Sequence, residues 1–282
     1  MTLDSYLYTN PGGRDYNEDA VGSRDFSDGA LFVVADGLGG QIHSEQAAEC
    51  VIRTLTEAPL PAPEDALTDW MTQQLHSAGD QVLALQREQH GNMKSTAAVL
   101  MIRGDEAVWA NVGDSRVYCF QDRELSAVTE DHSVAYKKYK AGEITRNQIG
   151  FDEDQSSLLR ALGNPERNQP SCGKAPAPLK PGDGFLLCSD GLLEHMTDSQ
   201  LLQLLTENKT DEEKHRQLVA MTEKNADNHS AWLVHIKDVT PEADDAIQKN
   251  DELTVRCNAM RYETAAPGKK PSLLHRLKSW LK

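Results

Sequence analysis

Aromatic residues make up only 6% of the 282-residue chain, and its five cysteines are never paired as C-x-x-C. Cys50, Cys119, Cys172, Cys188 and Cys257 are scattered and odd in number. That excludes a disulfide framework or a zinc ribbon and suits small core hydrophobes in a reducing compartment. Long apolar runs are missing too: stretches such as Ala97–Ile102 fall far short of the roughly 20 residues that cross a bilayer. The N-terminus has neither a basic segment nor an apolar stretch, so no secretory signal is read there and a cytoplasmic protein is expected. Basic residues are few, with 29 Lys and Arg against 44 Asp and Glu, a formal net charge of −15. A field of that sign repels DNA and RNA at long range, yet leaves room for cations. With 39% hydrophobic and 26% charged residues, the chain is neither collagen-like nor wholly disordered, and it is long enough to bury a core without staples.

The charge is unevenly spread. Residues 239–282 carry eight basic and six acidic residues, which leaves a net −17 for residues 1–238. This shift marks a domain over residues 1–238 and a C-terminal extension over 239–282. At its end, in Pro271–Lys282, the residues Leu273, Leu274, Leu277, Trp280 and Leu281 share one helical face among cations, with Ser272 as candidate N-cap. Twelve residues are too few for a free helix, so the segment is expected to fold only against its own acidic domain, a partner protein or an anionic membrane surface.

Within residues 1–238 the elements come in blocks. Leu31–Ala35 and Phe185–Cys188 read as buried strands. Ser95–Ile102, Ala107–Val112 and Arg116–Phe120 read as three consecutive strands with a hairpin turn near Gly104, and Ala231–Ile236 as a closing strand. Helices are expected over Glu45–Thr56, Glu64–Gln89, Asp198–Glu207 and Glu212–Lys224. Runs of adjacent strands and of adjacent helices predict an α+β fold with antiparallel sheets.

Carboxylates recur at the ends of these strands. Asp36-Gly37 follows one apolar strand and Asp190-Gly191 another; Asp114 sits between two strands, Asp227 before the last, and Arg14 precedes Glu18 and Asp19. One Asp-Gly is more often an ordinary turn. Five acidic corners in one domain ask for another reason, although spacing leaves their convergence open. Converging carboxylates repel unless a divalent cation neutralises them, and an all-oxygen donor set without His or Cys pairs selects Mg²⁺ or Mn²⁺ over zinc.

Arg14-x-x-Asn17-Glu-Asp19, Val34-Ala-Asp-Gly-Leu-Gly-Gly40, Ser95-Thr-Ala-Ala98, Asn111-Val-Gly-Asp-Ser-Arg116, Thr129-Glu-Asp-His-Ser133, Arg160-Ala-Leu-Gly163, Leu187-Cys-Ser-Asp-Gly-Leu192 and Asp227-Asn228 stand in the order found in the metal-dependent protein phosphatases. Residues 5–238 thus resemble the serine/threonine phosphatase 2C type in its bacterial form. The resemblance implies a four-layer α-β-β-α sandwich with two central antiparallel sheets. It implies hydrolysis of phosphoserine and phosphothreonine in proteins by a hydroxide bridging two Mn²⁺ or Mg²⁺ ions, opposing a cognate Ser/Thr kinase. By position, Asp36 would bridge both ions and Asp190 and Asp227 would complete the first site. The Gly37 carbonyl and Glu18, through water, would serve the second, with Asp19 in support. Asp114 with Asp190 would take a third, weaker ion, and Arg14 would grip the substrate phosphate. Residues from about Ser133 to Asp183 match the flap, where substrate selectivity is expected. A cysteine-nucleophile phosphatase is excluded, since no Cys is followed six residues later by Arg.

The chain also departs from the family pattern. Leu38 stands where eukaryotic members place a general-acid His, and Gln41 and Ser44 replace the His and Gly common in bacterial members. The acid for the leaving alkoxide then falls to metal-bound water, with His43 as second candidate. These departures keep open a weakly active or inactive phosphoprotein-binding module with the same fold. A metal-dependent nuclease shares the acidic chemistry but is opposed by the domain's charge of −17.

Overall fold

The computed structural model of the protein describes residues 1–39, 43–62 and 66–239. Two antiparallel sheets are built from β1 (Thr2–Asn10), β2 (Asp19–Phe26), β3 (Gly29–Leu38), β4 (Lys94–Ser95), β5 (Ala97–Arg103), β6 (Glu106–Val112), β7 (Arg116–Gln121), β8 (Glu124–Val128), β9 (Ser171–Lys174), β10 (Gly184–Cys188) and β11 (His229–Asp238). One sheet runs β1-β11-β10-β7-β8; the other runs β2-β3-β5-β6-β9, with β4 added beside β3. The helices are α1 (Ser44–Thr56), α2 (Leu67–Gln89), α3 (Val134–Lys140), α4 (Asp198–Thr206) and α5 (Asp211–Met221).

The alternation of side chains along β3 explains the layering. Leu31, Val33 and Ala35 pack against Val51, Ile52 and Leu55 of α1 and Met71 and Leu75 of α2. Ala30, Phe32 and Val34 point the other way and meet Phe185, Leu187, Trp232 and Val234 of the facing sheet. A strand buried on both faces reads as an unbroken apolar run, which is how it appears in the sequence. β10 repeats the device: Leu186 and Cys188 lie against Leu201, Leu204 and Leu205 of α4 and Leu218 of α5. Full burial of each Leu, Ile or Val contributes about 1.5–3 kcal/mol, so these three interfaces dominate the stability. The four layers are those implied by the family resemblance.

Several boundaries differ from the sequence expectation. Asp36 lies inside β3, because β4 pairs Gly37 with Ser95 and Leu38 with Lys94 and so prolongs the strand. The expected strand Ser95–Ile102 is interrupted at Thr96, whose hydroxyl is used elsewhere. α5 stops at Met221, with the Thr222 hydroxyl donating back to Leu218 O. α2 is described from Leu67 onward. β1, β2, β8, β9 and α3 carry mixed polar sequences and were not expected. Among the described residues no helix is long and apolar enough to cross a membrane. The amphipathic segment 271–282 lies outside the described residues.

Candidate metal centre

The carboxylates gather at one end of the sandwich. Asp36 belongs to the face of β3 that looks at the other sheet, two residues beyond Val34. Its main chain is clamped: the Asp36 N–H donates to Thr96 Oγ1 at 3.0 Å, and its carbonyl accepts from Thr96 N at 2.9 Å and Ser95 Oγ at 3.1 Å. Asp19 opens β2 directly opposite Asp36 in the register. From the facing sheet, Asp190 begins a 3-10 turn immediately past β10. Asp114 sits in the β6–β7 connection, where Gly113 has φ +96°. Asp227 lies in the turn before β11, its amide accepted by Glu194 Oε2 at 3.3 Å.

Two glycines admit this crowding. A Cβ on Gly37 would stand 2.3 Å from the Ser44 carbonyl oxygen and 2.8 Å from that of Glu18, and one on Gly191 would stand 2.1 Å from Asn228 O. Each is a position where helix, strand and turn meet backbone to backbone.

Electrostatics show which side chains have been brought together. The pKa of Asp36 is pushed well above the carboxylate range, first by burial and then by repulsion from Asp19, Asp190, Asp114 and Asp227. Burial also lifts Asp19 to about 7, against hydrogen bonds from Ser189 and Ser230, with repulsion from Asp190 and Asp227 adding to it. Asp190 rises to about 6, from burial and the Asp227 charge. Asp114 is raised by burial, then by Asp190 and Asp131. Asp19 Oδ1 and Asp114 Oδ1 are buried without a hydrogen-bond partner.

Among the described residues no group of three or more His, Cys, Asp and Glu side chains is set as a ready-made cage for one ion. The carboxylates are gathered at electrostatic rather than ligating range. Even so, the donors suit a hard divalent cation: they are oxygen only, desolvated, mutually repelling and partly unsatisfied, which is the condition a cation relieves.

Glu18 and Arg14 lie on the loop between β1 and β2. The Ser44 hydroxyl, at the start of α1, donates to Glu18 Oε1. Arg14 Nε is 3.1 Å from Asp227 Oδ1, with both side chains about half exposed. An ion pair so exposed is worth ~0–1 kcal/mol and is readily exchanged. His43 precedes α1 with φ 91°, its Nδ1 2.9 Å from Gln46 Nε2, while Gln41 lies outside the described residues.

Sequence reasoning overlooked the residues that hold this loop and the acids in place. Asn228 accepts the Glu18 amide at 2.8 Å through Oδ1 and donates to Pro11 O at 2.9 Å and Tyr16 O at 2.8 Å, which ties the Arg14 loop to the end of β11. Ser189 Oγ donates to Asp19 Oδ2 at 2.7 Å and accepts the Ser230 amide at 3.0 Å. His132 N donates to Gly113 O at 2.8 Å, and its Nδ1 accepts from Gly113 N at 3.2 Å, a two-way grip beside Asp114. Burial and the Arg160 charge hold His132 neutral, with a pKa lowered to about 4. His229 Nδ1 is 2.8 Å from Asp227 O, and its Nε2 is 2.9 Å from the Tyr8 hydroxyl. Asn228, Ser189 and His132 do stand within the motifs that carry the resemblance, each beside an acid, but nothing in those motifs states a positioning role.

The chain is similar to known phosphatases. The protein phosphatase 2C family profile matches residues 13–236. The serine/threonine phosphatase stp of Listeria monocytogenes is 31% identical over 245 residues, covering 83% of this chain and 95% of its own. The protein phosphatase PhpP of Streptococcus pneumoniae is 28% identical over 180 residues, 62% of this chain and 72% of its own. Stp1 of Staphylococcus aureus, a serine/threonine phosphatase, superposes with a TM-score of 0.76 at 27% identity, over 84% of this chain and 96% of that one. The catalytic domain of the serine/threonine phosphatase PstP, solved with two manganese ions, gives 0.70 at 26% identity, over 84% of this chain and 99% of that one.

Proposed function

The chain belongs to the protein phosphatase 2C family, and from that premise we propose how its own residues carry out the reaction. It is a metal-dependent protein serine/threonine phosphatase. The alternative, a binding module that keeps the fold without turnover, is not favoured by relatives that are named phosphatases.

The observation that carries the assignment of residues is the convergence of Asp19, Asp36, Asp114, Asp190 and Asp227 on one another, with oxygens left unsatisfied. Asp36, Asp190 and Asp227 would hold one ion, and Asp36, the Gly37 carbonyl and, through water, Glu18 a second. Asp114 with Asp190 would offer a third, weaker position. Two ions are the expected complement, Mn²⁺ or Mg²⁺, as manganese is in the PstP structure. When bound, such ions make water a stronger acid and offset charge on phosphoryl oxygens.

The protein's part is binding and alignment. Arg14 presents a planar guanidinium whose present partner, Asp227, is weakly held, so it is free to form a charge-assisted fork on the substrate phosphate. Asn228 fixes the loop that carries it. Ser44 orients the Glu18 carboxylate, and the Ser95-Thr96 clamp keeps Asp36 from recoiling from its neighbours. Ser189 and Ser230 hold Asp19 in one rotamer. Residues 1–238 form the catalytic domain and 239–282 an extension; a cytoplasmic location and a signalling role opposite a Ser/Thr kinase complete the reading.

The test compares p-nitrophenyl phosphate and a phosphothreonine peptide in Mn²⁺ and in EDTA, for the wild type and Asp190→Asn. Activity that needs Mn²⁺ and falls to background in the variant is expected. Undiminished turnover in EDTA would overturn the assignment.

A further inference from the structure

β3 does not stop at the catalytic carboxylate. Side chains along a strand alternate, so Leu38 shares the face of Asp36, and Lys94, which pairs with Leu38 across β4, joins them. The pairs Gly29↔Arg103 to Val34↔Ala98 and Gly37↔Ser95 to Leu38↔Lys94 keep one offset on either side of the break at Thr96, so this face continues outward from between the sheets. There it borders a groove of about 320 Å³, whose walls include Leu38, Asn92, Lys94, Leu158, Arg160 and Asn164. The far wall belongs to the segment that follows α3 and is pinned to β4 by the Ser95↔Leu162 bridge.

The groove's charge is opposite to that of the chain. In a protein with 44 acidic residues, Lys94 is half-buried and no carboxylate among the described residues forms an ion pair with it. Arg160, across the groove, spends Nη1 on Gln169 O at 3.2 Å and Ser171 Oγ at 3.2 Å, neither of which is charged. Two cations without anionic partners, beside apolar Leu38 and Leu158, form a cradle for a side chain that is negative at its tip and aliphatic along its stem.

We propose that this groove is a substrate subsite that binds the carboxylate of a glutamate or aspartate close to the phosphorylated residue, with Lys94 as its specificity-determining contact. The proposal rests on the phosphatase reading of the acidic centre and names the substrate class that centre prefers. Leu38 lies about 7 Å beyond Asp36 along the strand, the reach of roughly two residues of an extended peptide. The preferred substrate therefore carries its acid about two residues from the phosphothreonine.

The experiment measures kcat/KM of the full chain with Mn²⁺ on one phosphothreonine peptide series. The residue two positions away, on either side, is Glu, Gln, Lys or phosphoserine, with p-nitrophenyl phosphate in parallel. The wild type should favour Glu over Lys by about tenfold, expressed in KM. Lys94→Ala should erase that preference, Lys94→Glu should reverse it and Lys94→Arg should keep it, all with p-nitrophenyl phosphate hydrolysis unchanged. An equal preference in wild type and Lys94→Ala overturns the proposal, as does a parallel loss on every substrate, which would make Lys94 structural. A Lys94-dependent gain confined to phosphoserine overturns the carboxylate assignment in favour of a second phosphate. Absence of turnover on any substrate by the wild type would instead bring down the phosphatase reading beneath it.

Discussion

Asp131 raises the proton affinity of both Asp114 and Asp190, yet the fold treats Asp114 and Asp131 in opposite ways. Asp131 is buried against Arg116, which donates from Nε at 2.7 Å and Nη2 at 2.6 Å in a bidentate fork. Arg116 also donates to Tyr118, whose hydroxyl donates at 2.8 Å to Asp198, and Arg146 completes the set. Every charge there has a counter-charge of the chain's own. Asp114 and Asp19 each retain a buried oxygen with no partner, among carboxylates of the same sign. A buried charge that serves structure is neutralised from within; one that serves a cation is left for the cation to neutralise.

The largest effects should separate the two groups by kind. Asp36→Asn keeps the shape of the side chain and removes one of five repelling charges. Turnover should fall by roughly three orders of magnitude or more, while the melting temperature in EDTA stays level or rises. Asp131→Ala should do the reverse in stability. It strands the Arg116 guanidinium in the interior at a cost of about 3–5 kcal/mol, with a melting temperature lower by about 2–4 °C per kcal/mol. Calorimetry and circular dichroism on both variants decide the matter; a large stability loss in Asp36→Asn would erase the contrast.

A smaller effect is expected at the rim. Arg14→Ala should lower kcat/KM on a phosphopeptide by about 10- to 100-fold, with the affinity for Mn²⁺ retained. An unchanged kcat/KM would leave Arg14 as no more than the partner of Asp227.

The smallest effect is a pH trend. Asp19 and Asp190, at about 7 and 6, hold protons more tightly when folded than the ordinary carboxylate does when unfolded. The stability they contribute is complete below the unfolded value, near 4, and is lost as pH rises through 6 to 7. In EDTA the melting temperature should therefore drop by about a few degrees between pH 5 and pH 7.5. Mn²⁺ should flatten that slope; identical slopes with and without it would mean that the acids are not the cation's ligands.

The buried strands at Leu31 and Phe185, the helices expected over Glu45–Thr56, Glu64–Gln89 and Asp198–Glu207, and the acids themselves were legible because each rests on local chemistry. An apolar run, a helical period and an Asp-Gly pair all show within a few residues. β1 and β2 were not legible: Asp4, Asn10 and Arg24 interrupt their alternation, and pairing with distant strands, not propensity, makes them strands. The extent of β3 past Asp36 depends on β4, which is only two residues long. Composition and motif order determined that this chain is acidic, globular and phosphatase-like, with carboxylates at the ends of strands. Only the tertiary structure decided that residues as distant as Asp19 and Asp227 face one another, because convergence is set by sheet register and not by spacing. It alone decided which carboxylates receive an arginine, and that Lys94 lies opposite Leu38 at the end of β3.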